Sequence, residues 1–320
     1  MDFSFTEEQE AVRELADRIF TDLSTQERLR AIETSGEPDR FDAKLWSELA
    51  AAGLLGIALP ESVGGAGLGF VETGLLAEAA GRTAAYVPVV ETLAAAAPAI
   101  AAFGSDEQIQ RWLPGVVAGD TVVTTALVEL GGVPGAPSVV AEPDGDGWRL
   151  TGVKACVPSG TTAAAALVPA RIEPDGVAVF LVPLDAGGVT VERQVANNGV
   201  SEGLVTLSGV QVGSDGLLGT PEQGPAIIAW LVDRTTTALA LSEAGATAAA
   251  LALVSAYTKE REQFGKAIAT FQAVGQRAAD AYVDAEAIRL TAWQAAWRIA
   301  EGLPADKEIA VAKFWAADGG

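Results

Sequence analysis

Arg261 and Gln272 stand eleven positions apart in the run KEREQFGKAIATFQAVGQRAAD, which interrupts an alanine-rich helical pattern at Gly265. An arginine just before such a break can aim a planar, permanently charged fork at a diphosphate, and a glutamine one turn into the next helix can pair with the edge of a nucleotide base. The chain contains no histidine. That removes histidine-dependent triads, histidine-liganded metals and the commonest general base near neutral pH. Proton transfer therefore falls to a carboxylate, lysine, tyrosine or the single cysteine. In WLVDRTTTALAL, Asp233 directly precedes Arg234; the pair reads either as a base with its neighbouring cation or as an ion pair near a helix start, where an acid suits the macrodipole. Cys156 follows Ala155 in an apolar strand with no identifiable base beside it, and is expected to be a buried packing thiol rather than a nucleophile. One cysteine also excludes an internal disulfide framework and a cysteine-based zinc site.

The elements that must position these residues fall into three zones. From residue 5 to about 119 the pattern is helical: Thr6 with Gln9 reads as a capping box, and Val12, Leu15, Ala16, Ile19 and Phe20 form one stripe. A second amphipathic run carries Phe41, Leu45, Trp46, Leu49 and Ala52 and stops at Gly53. In GLLGIALPESVGGAGLG, Pro60 and the five glycines from Gly56 to Gly69 demand a loop. Gly65, Gly67 and Gly69 follow the strand-like LLGIAL, but their spacing is not G-x-G-x-x-G and no Lys-Ser or Lys-Thr follows, so a phosphate cradle is rejected.

Between residues 120 and 218, runs at 122–128, 139–141, 148–153, 164–168, 177–182 and 189–192 have strand length, and Asp144-Gly145-Asp146-Gly147 reads as a hairpin turn. Segments 222–259, 271–301 and 305–317 then read as helices whose alanines let them pack closely in an antiparallel bundle. The expectation is an α+β chain: a helical domain at 1–119, a β domain at 120–218 and a helical bundle at 219–320.

With 49% apolar and 20% charged residues, 320 residues are ample for a packed core. A formal charge of −21, from 42 acids against 21 bases, repels phosphate and argues against nucleic acid or an anionic membrane as partner. The acidic opening MDFSFTEEQE lacks the features of a signal peptide, so the cytoplasm is the expected location. The stretch 84–103 is the nearest membrane lookalike, interrupted by Pro88, Glu91 and Pro98.

Taken with PESVGGAG, VELGG and LTGVKACVPS in the same order, REQFG and FQA closely resemble the acyl-CoA dehydrogenases, flavoproteins that desaturate acyl thioesters. The resemblance covers essentially the whole chain. It implies the helical, β, helical domain order, FAD as cofactor, an acyl-CoA substrate, an electron-transferring flavoprotein as acceptor, and assembly as a homotetramer or with a homologous subunit as a heterotetramer. It also implies that Arg261 and Gln272, with Phe264 between them, serve the FAD of a neighbouring subunit. The family patterns T-E-P-G-x-G-S-D and L-N-G-x-K-x-W-I-T-N put Val128, Cys156 and Pro158 at cofactor-contacting positions. There valine replaces a hydroxyl, cysteine the tryptophan and proline the threonine, which loses a ring, a hydroxyl and a backbone N–H.

One branch of the family carries its base directly before an arginine, which matches Asp233, with Arg234 at the substrate. An aspartate is one methylene shorter than the usual glutamate, and a misplacement of about 1 Å can cost ~100-fold in rate. Family members normally continue past the equivalent of Gly320, through a segment that touches FAD and often carries the catalytic glutamate, so the resemblance implies a truncated bundle. Three readings follow: a degenerate partner of a catalytic paralogue, a self-sufficient enzyme using Asp233, or a ligand-free helical scaffold. The pattern of kept and lost residues favours the first.

Overall fold

The computed structural model describes residues 4–37, 39–174 and 176–320. At the N-terminus the Thr6 hydroxyl accepts the Gln9 N–H at 3.2 Å and the Gln9 side chain accepts the Thr6 N–H at 3.0 Å, the expected capping box. Helix α1 follows as Glu7–Leu23, burying Ala16 and Phe20. Helices α2 (Gln26–Glu33) and α3 (Ala43–Ala51) are tied by Asp42, which caps α3 through the Leu45 N–H and accepts two hydrogen bonds from Arg28. Helix α4 spans Phe70–Arg82; a π-helix at Val89–Ala96 runs into α5 (Ala97–Phe103), and α6 spans Asp106–Ala118.

The segment LLGIAL, strand-like in sequence, is a series of turns. The following loop folds on itself: the amides of Gly65, Ala66, Gly67 and Leu68 donate to the carbonyls of Pro60, Gly56, Leu59 and Ile57. A Cβ at Gly65 would lie 2.1 Å from the Leu59 carbonyl oxygen, so glycine is required for that close approach. Those four amides are spent within the loop.

Eight strands form one sheet: β1 (Val123–Thr125), β2 (Val140–Asp144), β3 (Gly147–Pro158), β4 (Ala165–Ile172), β5 (Gly176–Pro183), β6 (Val189–Val195), β7 (Ser201–Val212) and β8 (Leu217–Leu218). Their order is β6-β7-β3-β2-β4-β5-β8, with β1 parallel to β4. The β2–β3 hairpin turns at Gly145-Asp146 as its sequence predicts, with Asp144 opposite Gly147. One long strand, β7, has no counterpart in the sequence reading. Its inward face is Ser201, Gly203, Val205 and Leu207, and small residues at two of those four positions hide the apolar alternation. The sheet core joins Val139, Leu150, Val168, Phe180, Val205 and Leu207, with Trp148 edge-on to Phe180 at 5.5 Å.

Helix α7 runs Gly224–Glu260; a short hairpin of β9 (Glu262–Gln263) and β10 (Lys266–Ala267) leads to α8 (Gln272–Ala300) and α9 (Asp306–Gly319). Within Pro221–Glu260 the chain is long and apolar enough to cross a membrane by length and composition only. Chain contacts divide the molecule into two units. One gathers residues 4–25, 70–85 and 236–320; the other gathers 26–69 and 86–235, so α7 contributes to both. In the first unit α4 meets α7 through glycine: a Cβ at Gly81 would lie 1.8 Å from the Ser242 carbonyl oxygen, and one at Gly245 would lie 2.0 Å from that of Glu78. Trp293 on α8 donates to Glu78 at 2.8 Å and packs edge-on against Phe5 at 4.9 Å.

Candidate functional site

In the helical unit, Arg261 follows the last residue of α7 and its N–H still donates to the Tyr257 carbonyl. The chain then reverses through Phe264 (φ +54°) and Gly265 (φ +76°), a two-residue turn left-handed at both positions, with Gln263 opposite Lys266. The hairpin is tied back by the Ile268 N–H, which donates to the Arg261 carbonyl at 2.8 Å. Phe264, 93% exposed, lies edge-on to Phe271, over whose ring the Lys266 ammonium sits at 4.5 Å. Gln272 is the first residue of α8, rather than one turn into it as the sequence suggested. Among the described residues neither the Arg261 guanidinium nor the Gln272 carboxamide has a side-chain partner, and both are exposed. A free planar fork, a nearby ammonium and an opening helix make a donor set suited to a diphosphate and a base edge.

In the β unit the family-like segments meet at the end of β3. The Ala155 N–H donates to the Val128 carbonyl at 3.0 Å, leaving the Val128 side chain half in solvent. Next to it, Glu129 accepts from Lys154 Nζ at 2.6 Å and from the Ser138 N–H and hydroxyl, with Lys154 fully buried. Burial pushes the Glu129 carboxyl up, but the Lys154 and Ser138 donors outweigh it and hold it below its usual range. For Lys154 burial wins, and its pKa is lowered despite Glu129. The signal for this pair was present as one residue in each of two motifs, and nothing in the spacing said that they touch.

Cys156 is exposed, against the expectation of a buried thiol. The reason is a bulge between Lys154 and Val157, where the strand takes up φ +49° at Cys156 and turns its side chain outward between buried Ala155 and Val157. Burial and the neighbouring Glu202 raise the thiol's pKa, which opposes nucleophilic use. Its N–H donates to Gln194 Oε1 at 2.7 Å. The Pro158 carbonyl accepts the Thr124 hydroxyl at 2.6 Å. Ser159, at φ +51°, donates its hydroxyl to Glu91 on the π-helix at 2.6 Å and its N–H to the Ser201 carbonyl. Glu91 is a residue the sequence reading treated as an interruption in an apolar stretch; its contact is long-range and left no local signal.

Asp233 and Arg234 sit half-buried on α7. The Arg234 guanidinium lies 3.6 Å from the centre of the Trp230 ring, which is edge-on to Phe103 at 5.6 Å. Burial lowers the Arg234 pKa to about 10, with Asp233 acting in the opposite direction. The arginine is thus a stacked, largely desolvated cation, and Asp233 is electrostatically coupled to it.

Comparison with known proteins gives these features a setting. Residues 6–120, 131–209 and 222–319 match the acyl-CoA dehydrogenase N-terminal, middle and C-terminal domains, respectively. The chain is 39% identical over 328 residues to acyl-CoA dehydrogenase FadE27 of Mycobacterium tuberculosis, covering 100% of this chain and 85% of that protein. It superposes on a chain of the ChsE4-ChsE5 complex from Mycobacterium tuberculosis with TM-score 0.93 at 39% identity, covering 100% of this chain and 85% of the other. A Tcur3481-Tcur3483 steroid ACAD variant matches with TM-score 0.89 at 47% identity, over 98% of this chain and 83% of that one. Solved relatives of this fold include a FAD complex, and FAD is the cofactor of these oxidoreductases.

The residues present divide on that cofactor. The connection at Arg261 and Gln272 offers unspent donors, as a dinucleotide needs. The end of β3 does not: Pro158 has no N–H, the N–H groups of Ala155, Cys156 and Ser159 and the hydroxyls of Thr124 and Ser159 are all spent within the chain, and a carboxyl stands beside them. A flavin ring, rich in acceptors, finds no free donor among those groups. By its three domain matches and its full-length relatives, the chain belongs to the acyl-CoA dehydrogenase family.

Proposed function

We propose that this chain is one subunit of a heteromeric acyl-CoA dehydrogenase, supporting α,β-desaturation of an acyl-CoA thioester as the degenerate partner of a catalytic paralogue. The observation that carries this reading is the asymmetry just described: unspent donors at Arg261 and Gln272 where an adjacent chain's dinucleotide would be gripped, against a self-satisfied β3 end where its own flavin would lie. When bound, FAD supplies the hydride acceptor that no side chain can. The work of this chain is then to hold the diphosphate with Arg261, orient a base edge with Gln272 and screen the dinucleotide with Phe264. The likeness to the ChsE4-ChsE5 complex supports an unlike-subunit assembly, and the likeness to a steroid ACAD supports a bulky acyl group. Electrons would pass on to an electron-transferring flavoprotein.

A second reading is supported by the coupling of Asp233 to half-buried Arg234: a self-sufficient enzyme with Asp233 as base and Arg234 toward the substrate. Expression of the chain alone and with a homologous subunit separates the two. The subunit reading expects a colourless chain alone, a yellow complex on co-expression, and at least tenfold weaker FAD retention in the Arg261→Ala complex. A yellow homo-oligomer that bleaches with an acyl-CoA, and loses that response in Asp233→Asn, overturns it in favour of the second. If Arg261→Ala changes nothing, a ligand-free scaffold is what remains.

A further inference from the structure

We propose that Glu91 closes the end of β3 against a flavin and so determines that this chain's own β unit holds none; this rests on the subunit reading above. The π-helix Val89–Ala96 sets where Glu91 points. Its wider turn closes with the Ala97 N–H donating to the Thr92 carbonyl, and the Thr92 hydroxyl donates to the Val123 carbonyl at 2.7 Å, fixing the helix against β1. Thr92, the residue after Glu91, is thereby positioned by something other than Glu91. What Glu91 itself does is accept the Ser159 hydroxyl at 2.6 Å.

Ser159 is the keystone of the turn after β3. It occupies a left-handed conformation that disfavours a residue with a Cβ, and its carbonyl accepts the N–H groups of both Thr162 and Ala163. The same stretch holds the bulge and the left-handed Cys156, so two of the four positive-φ residues other than glycine among the described residues fall within four positions. Backbone held in such conformations persists where the surroundings over-determine it. Here the surroundings are Glu91, Gln194, Ser201 and Thr124, all of them contacts within the chain. Glu91 has no cation partner among the described residues, so it is not held there by an ion pair. It meets an incoming flavin with an acceptor, and on the ring's polar edge only N3–H could pair with it, the oxygens, N1 and N5 being acceptors too. Replacing it by alanine frees the Ser159 hydroxyl and opens the volume of a carboxymethyl group.

The test uses the complex purified with a homologous subunit, in which bound flavin per chain is counted by absorbance and added FAD is titrated by fluorescence quenching. Wild type is expected to carry one FAD per pair of unlike chains and to take up no second. Glu91→Ala should take up the second with at least tenfold higher affinity than wild type. Glu91→Gln, whose amide oxygen still accepts from Ser159, should stay closed. Where Glu91→Ala does not assemble, Glu91→Ser, which also removes the carboxylate and leaves the Ser159 hydroxyl in place, is read instead. One FAD per pair with no second uptake in the folded alanine variant, or uptake by Glu91→Gln equal to that by Glu91→Ala, overturns the role of Glu91 alone. A wild-type complex with one flavin on every chain, or with none at all, overturns the subunit reading on which it rests.

Discussion

Glu129 is held by Lys154 at 2.6 Å and by two donors of Ser138, whereas Glu91 has the Ser159 hydroxyl and no cation among the described residues. Burial disfavours both carboxylates, and the neighbours decide the sign. The folded-state pKa of Glu129 is lowered, so its stabilisation is present above the unfolded value of about 4.3 and is lost as pH falls through the folded one. The folded-state pKa of Glu91 is raised, so its contribution is full below about 4.3 and is lost as pH rises through the raised value. Glu91→Gln should therefore match wild type at pH 4 and be the more stable of the two at pH 7, read from urea unfolding at the two pH values. A wild type more stable than the variant at pH 7 would show that the carboxylate is favoured there. Lys154→Met strands a buried carboxylate and should cost about 3 kcal/mol, most of it recovered in the Lys154→Met, Glu129→Gln double variant by the same measurement. If the double variant is as unstable as the single, the loss comes from packing and not from charge.

Periodicity carried α1 and α3, the α1 cap at Thr6 is local, and α7 and α8 were legible as long alanine-rich runs. The strands were legible where the run was apolar nearly throughout, as in β4 and β5. The β7 strand was lost because Gly203 must be small: a Cβ there would approach the Gly160 Cα at 3.2 Å. Cys156 was misplaced because a bulge reverses the count of inward and outward positions, and a bulge leaves no residue-type signature here. Arg261 and Gln272 stand out in the sequence since both belong to one short connection, while Glu91 and Ser159 are 68 positions apart and meet only in the fold. Glycine has opposite consequences in different helices. At Gly81 an added methyl meets the α7 backbone, so Gly81→Ala should lower stability by about 2 kcal/mol. At Gly275 nothing lies within 4 Å, and Gly275→Ala should raise stability by about 0.5–1 kcal/mol through helix propensity. Thermal unfolding of the two variants checks both, and a stabilising Gly81→Ala would mean that the α4–α7 approach is looser than described.

Across the whole chain a net charge of −21 sits beside a helical unit that exposes large apolar side chains, among them Leu253, Tyr257, Tyr282, Val283 and Phe314. Apolar surface of this kind favours association. Like charge opposes it, and more strongly between two copies of this chain than between this chain and a less acidic relative. The range of that repulsion is set by salt, about 30 Å at 10 mM and 10 Å at 100 mM. Self-association of the isolated chain should therefore increase as salt is raised from 10 to 500 mM on the order of these screening lengths, whereas the complex with a homologous subunit should persist at both ends. Sedimentation velocity of each sample across that series reads the outcome directly. A homo-oligomer already stable at the lowest salt would show that apolar contact outweighs charge within copies of one chain, and the argument for an unlike partner would then rest on flavin stoichiometry alone.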